Sequence, residues 1–240
     1  MTMPALNSPK GPNCMVAHIT RTAAHVSLYM MDMGLDKPGC FEVLAYYPVG
    51  EWQWRLLPLP PFFDDLEYKA CNNIPYAVVD GTRICVSSAT ATYSFDTVAL
   101  KWSKTGDWVL PFHTKADFVP ELNLWLGLPA SSPSDLCAVD LSTGTIDSCD
   151  VPPVVQHVGL GFDLPKDWSL KSRTLVNLGP GRFCIAMFLD TADAQDSPQV
   201  VVFTGGDVVP SGDNQQGGRT LRRIKHKSKC LVTDRIEYVL

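Results

Sequence analysis

Proline and glycine recur along most of this chain, which argues against long helices. The sequence contains 19 prolines and 17 glycines, and most windows of about twelve residues contain at least one of them. A helix interior tolerates neither, because proline removes an N–H donor and glycine costs backbone entropy. Between them stand short runs rich in Val, Ile, Tyr, Phe, Trp and Thr, which are typical of strands. The sequence therefore predicts an all-β fold.

One pattern recurs along the chain and indicates an architecture. Residues 92–112, TYSFDTVALKWSKTGDWVLPF, combine an aromatic strand, tryptophans around a turn predicted at 105–107, and a Leu-Pro stop. Residues 41–62 have the same order of features, and residues 136–153 and 173–210 carry weaker copies. Repeats of about 40 to 50 residues with several strands each are typical of propeller blades. We predict a β-propeller with four to five blades or an incomplete ring, since a β-sandwich or two small barrels would leave the recurrence unexplained.

The chain of 240 residues is interpreted as a single β-propeller-like domain over residues 1–240. Its N-terminal tail, residues 1–12, is predicted to be disordered. Residues 190–198 and 205–218 are rich in Gly, Pro and Asp, which predicts exposed loops. We expect the last strand-like run, residues 236–240, to close the ring by pairing with a strand at residues 14–20.

Several ordered motifs carry a family resemblance over roughly residues 40–240. These are TYSFDT (92–97), GDWVLPF (106–112), FVPELNLWLGL (118–128), LCAVDLS (136–142), LVNLGPGRFCIAMF (175–188) and LRRIKHKSKC (221–230). With them the chain resembles a grass-expanded plant family of kelch-like proteins, domain of unknown function family 1668. The resemblance implies a kelch or galactose-oxidase-type propeller, and it implies no activity and no catalytic residue.

Composition narrows the possible partners and the compartment. A net charge of −5 argues against a nucleic-acid binder that neutralises phosphates, and no apolar run is long enough to span a bilayer. The eight cysteines contain no C-x-x-C motif, so we expect reduced, mostly buried thiols in the cytoplasm or nucleus. The alternative for two of them is a disulfide between Cys137 and Cys149 across a predicted hairpin.

No catalytic constellation stands out. The five histidines have no recurrent metal-ligand spacing, and neither G-x-S-x-G nor a phosphate-binding glycine loop occurs. Residues 179–183, GPGRF, are instead predicted to form a hairpin turn at Gly179-Pro180-Gly181. Asp80, Asp96 and Asp140 follow or end strands, where aspartate most often caps a turn. We therefore predict no catalytic, metal-binding or cofactor-binding residue.

Two groups of residues are candidates for binding a partner. Trp125 and Trp168 lie outside the repeated tryptophan positions, so either ring could belong to a ligand surface. Residues 218–230 form the main basic cluster; the cluster could bind an anionic partner, or it could protect a sheet edge from pairing with other molecules. Its candidate binding residues are Arg222, Arg223, Lys225 and Lys227.

Repeat architecture without a convergent set of titratable groups favours a non-enzymatic scaffold that binds an unidentified protein partner. The alternative is a carbohydrate-binding protein, or a hydrolytic or oxidative enzyme, that uses the central channel of a propeller.

Overall fold

The computed structural model of this protein describes residues 4–11, 14–22, 25–32, 40–46, 51–64, 73–132, 135–147, 151–159, 168–191, 199–213 and 219–233. Almost all regular structure in these residues is strand, with one short α-helix, α1 (Thr143–Ile146), and one 3-10 turn, Pro61–Asp64. The predicted all-β fold is confirmed. The chain divides into two compact units, and the second is interrupted in sequence by a segment of the first.

Unit 1 comprises Met1–Phe118 and Asp140–Val154. Its first sheet consists of four consecutive antiparallel strands, β1 (Met15–Thr22), β2 (His25–Met31), β3 (Phe41–Tyr46) and β4 (Trp52–Leu56). Its second sheet contains β5 (Tyr76–Val79), β6 (Arg83–Ser87), β7 (Thr92–Asp96) and β8 (Lys101–Gly106), again antiparallel in sequence order. Strand β9 (Phe112–Val119) pairs with β5 in parallel.

The core of unit 1 lies between these two sheets. Alternate residues of β1 to β3, such as Ile19, Met31 and Val43, are buried against residues of β6 and β7. An aromatic cluster occupies its centre, in which the Phe41 and Phe95 rings meet edge to face at 4.9 Å and Trp102 lies 5.0 Å from Phe95. This is the packing between sheets that repeated aromatic residues are expected to provide.

Unit 2 comprises Val119–Val139 and Val155–Leu240. Strands β10 (Leu124–Pro129), β11 (Asp135–Val139) and β12 (Val155–Gly159) form one antiparallel meander. The other consists of β13 (Trp168–Gly179), β14 (Arg182–Thr191), β15 (Gln199–Asp213) and β16 (Arg219–Thr233), paired in sequence order. A second core, with Leu126, Leu136, Ile185, Met187 and Val202 among its members, lies between the two meanders.

The β13–β14 connection was predicted correctly from its glycines. The chain turns at Pro180 and Gly181, with positive φ at Gly179 and Gly181. A Cβ at Gly181 would lie 2.9 Å from the carbonyl oxygen of Val208, so only glycine fits there.

Two local predictions are wrong. Residues 205–213 belong to strand β15 and not to a loop, because the ladder with β16 continues through the glycine-rich stretch. Residues 105–107 are not the turn of their hairpin: β8 runs from Lys101 to Gly106, and the turn lies at residues 97–100. In both places glycine lies within a strand, where composition alone had suggested a break.

Other expectations stay predictions. Single-domain organisation, a ring of four to five blades and its closure are among them, and residues 236–240 lie outside the described part of the chain. Cys137 is a buried free thiol, and its predicted partner Cys149 also lies outside that part. Residues 4–11, from the tail expected to be disordered, contact the first sheet through Asn7, Ser8 and Lys10.

Candidate docking surface

The first sheet of unit 1 has a second apolar side, opposite the core. Paired residues of antiparallel strands point to the same side, so the register of β1 to β4 assigns every side chain to one side or the other. Residues 15, 17, 19, 29, 31, 41 and 43 point into the core. The opposite side, here called the outer face, carries Val16, His18, Thr20, Val26, Leu28, Met30, Glu42, Leu44, Tyr46, Trp52, Trp54 and Leu56.

Several large apolar groups of the outer face are exposed. Tyr46 and Leu56 are 46% and 54% exposed, and Val26 is 38% exposed. The Tyr46 and Trp52 rings meet edge to face with centroids 5.5 Å apart. We call the region of Val26, Tyr46 and Trp52, which lie in one row across β2 to β4, the open half of the outer face. Exposed apolar groups grouped on one sheet side are typical of interaction surfaces.

Residues 4–11 cross the rest of the outer face and are called the strap. At one end the Gly11 N–H donates to the Asp32 carboxylate, 2.9 Å away, just beyond β2. At the other end the Trp54 indole N–H donates to the Pro4 carbonyl at 3.1 Å, on β4. The strap therefore passes over β2, β3 and β4, and it does so without strand structure of its own.

The strap is held by Glu42, near the start of β3, whose carboxylate is fully buried on the outer face. Asn7 donates two hydrogen bonds to the Glu42 carboxylate, one from its backbone N–H at 3.1 Å and one from its side-chain Nδ2 at 2.6 Å. The Ser8 backbone N–H donates a third to the same carboxylate, at 3.2 Å. The Lys10 ammonium forms a buried ion pair with the same carboxylate. Burial alone would raise the pKa of Glu42, but the hydrogen bonds from Lys10 and Asn7 outweigh it and hold the pKa below its usual range.

The two candidate tryptophans both lie in unit 2. Trp125, on β10, is only 5% exposed, so its ring is buried and offers little surface to a ligand. Trp168, at the start of β13, is partly buried and packs against the core of unit 2.

The basic cluster forms strand β16, at the edge of its sheet. Arg222, Lys225 and Lys227 are exposed there. Arg223 is partly buried: its Nε would lie 3.0 Å from a Cβ at Gly206, so the guanidinium group packs over that glycine. Burial lowers the pKa of Arg223. The structure thus presents three of the four basic candidates to solvent and uses the fourth in packing.

The three aspartates predicted to cap turns behave differently from one another. Asp96 accepts hydrogen bonds from the N–H groups of Val98 and Ala99, at 2.7 and 2.9 Å, and Asp140 accepts one from the N–H of Ser142. Asp80 instead pairs with Arg83 at 2.9 Å. Turn capping is therefore confirmed for Asp96 and Asp140, whereas Asp80 is part of an ion-pair network.

The buried thiols are poorly suited to nucleophilic chemistry. Cys40, Cys85 and Cys137 are free and buried, as predicted for reduced core thiols. Burial raises the pKa of Cys40 to about 11 and the pKa of both Cys85 and Cys137 to about 12. These groups stay protonated near neutral pH and supply no thiolate.

The open half and Glu42 were missed by sequence reasoning. A signal existed, because β3 reads Phe-Glu-Val-Leu-Ala-Tyr and carries large apolar residues on both sides, as a strand covered on both faces would. Trp52 and Trp54 stand two apart in a strand and so share one side. Nothing in the sequence pairs Glu42 with a strap more than 30 residues away.

Within the described residues, no three His, Cys, Asp or Glu side chains are grouped so as to hold a metal ion. No helix among them is long and apolar enough to cross a membrane.

The chain matches a protein family. A family model described as "Protein of unknown function (DUF1668)" matches residues 1–231. No curated protein matches the chain.

Proposed function

We propose that this chain, which belongs to the DUF1668 family, is a non-enzymatic, kelch-like β-propeller scaffold that binds a protein partner through the open half of the outer face. The observation that carries the proposal is the exposure of Tyr46 beside Val26 and Trp52 on one sheet side. Tyrosine and tryptophan are enriched where protein interfaces are most tightly packed. A partner that covered these groups would remove their apolar surface from water.

The strand pattern supports the propeller part of the proposal. The first sheet of unit 1 and the last sheet of unit 2 are each four consecutive antiparallel strands, which is the composition of a propeller blade. Free, buried thiols fit a reducing compartment, which supports the cytoplasm or nucleus as the location.

Strand β16 is the second surface that we propose for a partner. Its exposed Arg222, Lys225 and Lys227 would attract an acidic region of the partner and accelerate association at low salt. Lys225→Glu together with Lys227→Glu is expected to slow association at least fivefold at low ionic strength, measured by surface plasmon resonance with the partner. Equal association rates for the wild-type chain and the double variant would show that β16 is not part of the binding surface.

The open half is tested by substitutions that add a charge to it. Purified chain carries a photo-crosslinker at Trp52, and crosslinked partners are identified by mass spectrometry. Tyr46→Glu or Val26→Glu is expected to lower recovery of the partner at least tenfold. Val98→Glu is the matched control, because Val98 is 64% exposed on the β7–β8 turn, which belongs to the second sheet of unit 1.

Circular dichroism of each variant checks that the charge has not unfolded the chain. Recovery of the same partner at equal yield by folded Tyr46→Glu and Val98→Glu proteins would contradict the proposal.

A further inference from the structure

We propose that the strap is an internal ligand: the part of the outer face built by Asp32, Glu42 and Trp54, here called the strap site, is a peptide-binding groove. It holds the strap in cis and takes in trans an extended, lysine-bearing segment of a partner protein. This inference rests on the proposed function, because it assigns the partner's segment to the face on which we place docking.

The chemistry of Glu42 selects the ligand. A fully buried carboxylate on an otherwise apolar sheet side is costly unless donors reach it, and the strap supplies an ammonium group and amide N–H groups. The Lys10 ammonium also donates to the Ser8 hydroxyl at 2.7 Å and to the Ser8 carbonyl at 3.2 Å. All three donors of the ammonium group are therefore used, which a neutral side chain could not reproduce.

Trp54 recognises the extended backbone of the ligand. Its indole N–H donates to the Pro4 carbonyl, and its own carbonyl accepts from the Asn7 amide at 3.3 Å. Asn7 thus bonds with Trp54 and Glu42 at once. A segment fits the strap site if it carries asparagine, then lysine three positions later, as Asn7 and Lys10 do.

The strap can leave without breaking the sheet. Residues 4–11 contribute no strand, and their recognition uses the side chains of Asp32 and Glu42 and two polar groups of Trp54. Exchange of the strap for a partner's segment therefore keeps every ladder bond of β1 to β4. Because a tethered ligand acts at an effective concentration in the millimolar range, the strap sets the affinity that a partner must exceed.

The test uses the full chain with a weakened strap. The probe is a fluorescein-labelled peptide of residues 4–11, Pro-Ala-Leu-Asn-Ser-Pro-Lys-Gly, and its matched control carries norleucine in place of lysine. Fluorescence anisotropy is measured with the wild-type chain and with Asn7→Ala/Lys10→Ala. The double variant is expected to bind the lysine peptide at least tenfold more tightly than the norleucine peptide, and at least tenfold more tightly than the wild type does.

Glu42→Gln, added to the double variant, is expected to abolish the preference for lysine. A folded double variant that binds neither peptide, or both equally, overturns the inference. This failure is distinct from failure of the proposed function, since the open half can still capture a partner in a Tyr46-dependent way.

A second measurement tests the inference with the wild-type sequence, in case the double variant does not fold. The wild-type chain receives a protease site between the strap and β1 and is cut after folding, so that the strap is held only by its contacts. Displacement of the cut strap by labelled lysine peptide, and not by norleucine peptide, supports the inference. A strap that stays bound under a hundredfold excess of lysine peptide contradicts it.

Discussion

Two adjacent glycines of β15 should respond in opposite ways to a single added methyl group. A Cβ at Gly206 would lie 3.0 Å from Phe183 Cζ, 3.0 Å from Arg223 Nε and 3.1 Å from the Ile224 carbonyl oxygen. At Gly205 the nearest atom would be 3.6 Å away, which is ordinary contact. Neither glycine has positive φ, so the comparison isolates packing.

The magnitude follows from what can move. Phe183 is 2% exposed and the Ile224 carbonyl belongs to β16, so only Arg223 can shift easily. Overpacking of this kind destabilises the folded protein by roughly 1 to 3 kcal/mol. Alanine also reduces the conformational entropy of the unfolded chain, which stabilises the protein by about 0.4 to 1 kcal/mol. Gly206→Ala should therefore destabilise the protein by about 1 kcal/mol and by no more than about 2.6 kcal/mol, whereas Gly205→Ala should be neutral or stabilising.

The assay is urea unfolding followed by circular dichroism, with hydrogen exchange of β14 to β16 as a local probe of unit 2. In thermal unfolding of the same variants, each kcal/mol of destabilisation corresponds to a fall of about 2 to 4 °C in Tm for a chain of this length. Equal stability of the two variants would refute the packing argument.

Three further changes test other parts of the structure. Strap docking should weaken on acidification: the pKa of Glu42 is lowered in the docked state, so docking is stabilised above the ordinary glutamate pKa and lost as pH falls through the lowered value. Hydrogen exchange of residues 4–11 against pH measures this, and Glu42→Gln should flatten the profile. Gly181→Ala should lower the free energy of unfolding in urea by about 1 to 3 kcal/mol more than Gly81→Ala does. The two glycines have matching φ angles of 61° and 63°, but only Gly181 faces a close backbone atom. Equal losses of stability in the two variants would contradict this. Arg83→Gln should destabilise unit 1 by about 1 kcal/mol by removing its 2.9 Å ion pairs, and an unchanged unfolding midpoint would assign those pairs no net stability.

The features predictable from sequence are those that depend on neighbouring residues. Scattered proline and glycine argued against long helices, and the glycines at 179 and 181 identified their turn. The same local reasoning failed at residues 205–213, because glycine there serves a long-range purpose and admits the Arg223 side chain from β16. A residue type that permits a turn does not require one when a neighbouring strand is available.

The docking surface shows the same division. A strand apolar on both sides can be recognised locally, so Tyr46 was within reach of sequence reasoning. The strap was not, because Asn7 and Glu42 are 35 positions apart and their contact depends on the folded sheet. Trp125 illustrates the converse, since an aromatic residue outside a repeat can still be buried.

The order in which the units appear along the chain has a consequence for synthesis. Asp140–Val154 belongs to unit 1, yet β10 and β11 of unit 2 precede it and β12 follows it. A growing polypeptide that has emerged as far as β11 therefore still lacks Asp147, which pairs with Arg83. Neither unit is encoded as one continuous stretch. Translation that terminates near residue 139 would therefore leave both units incomplete.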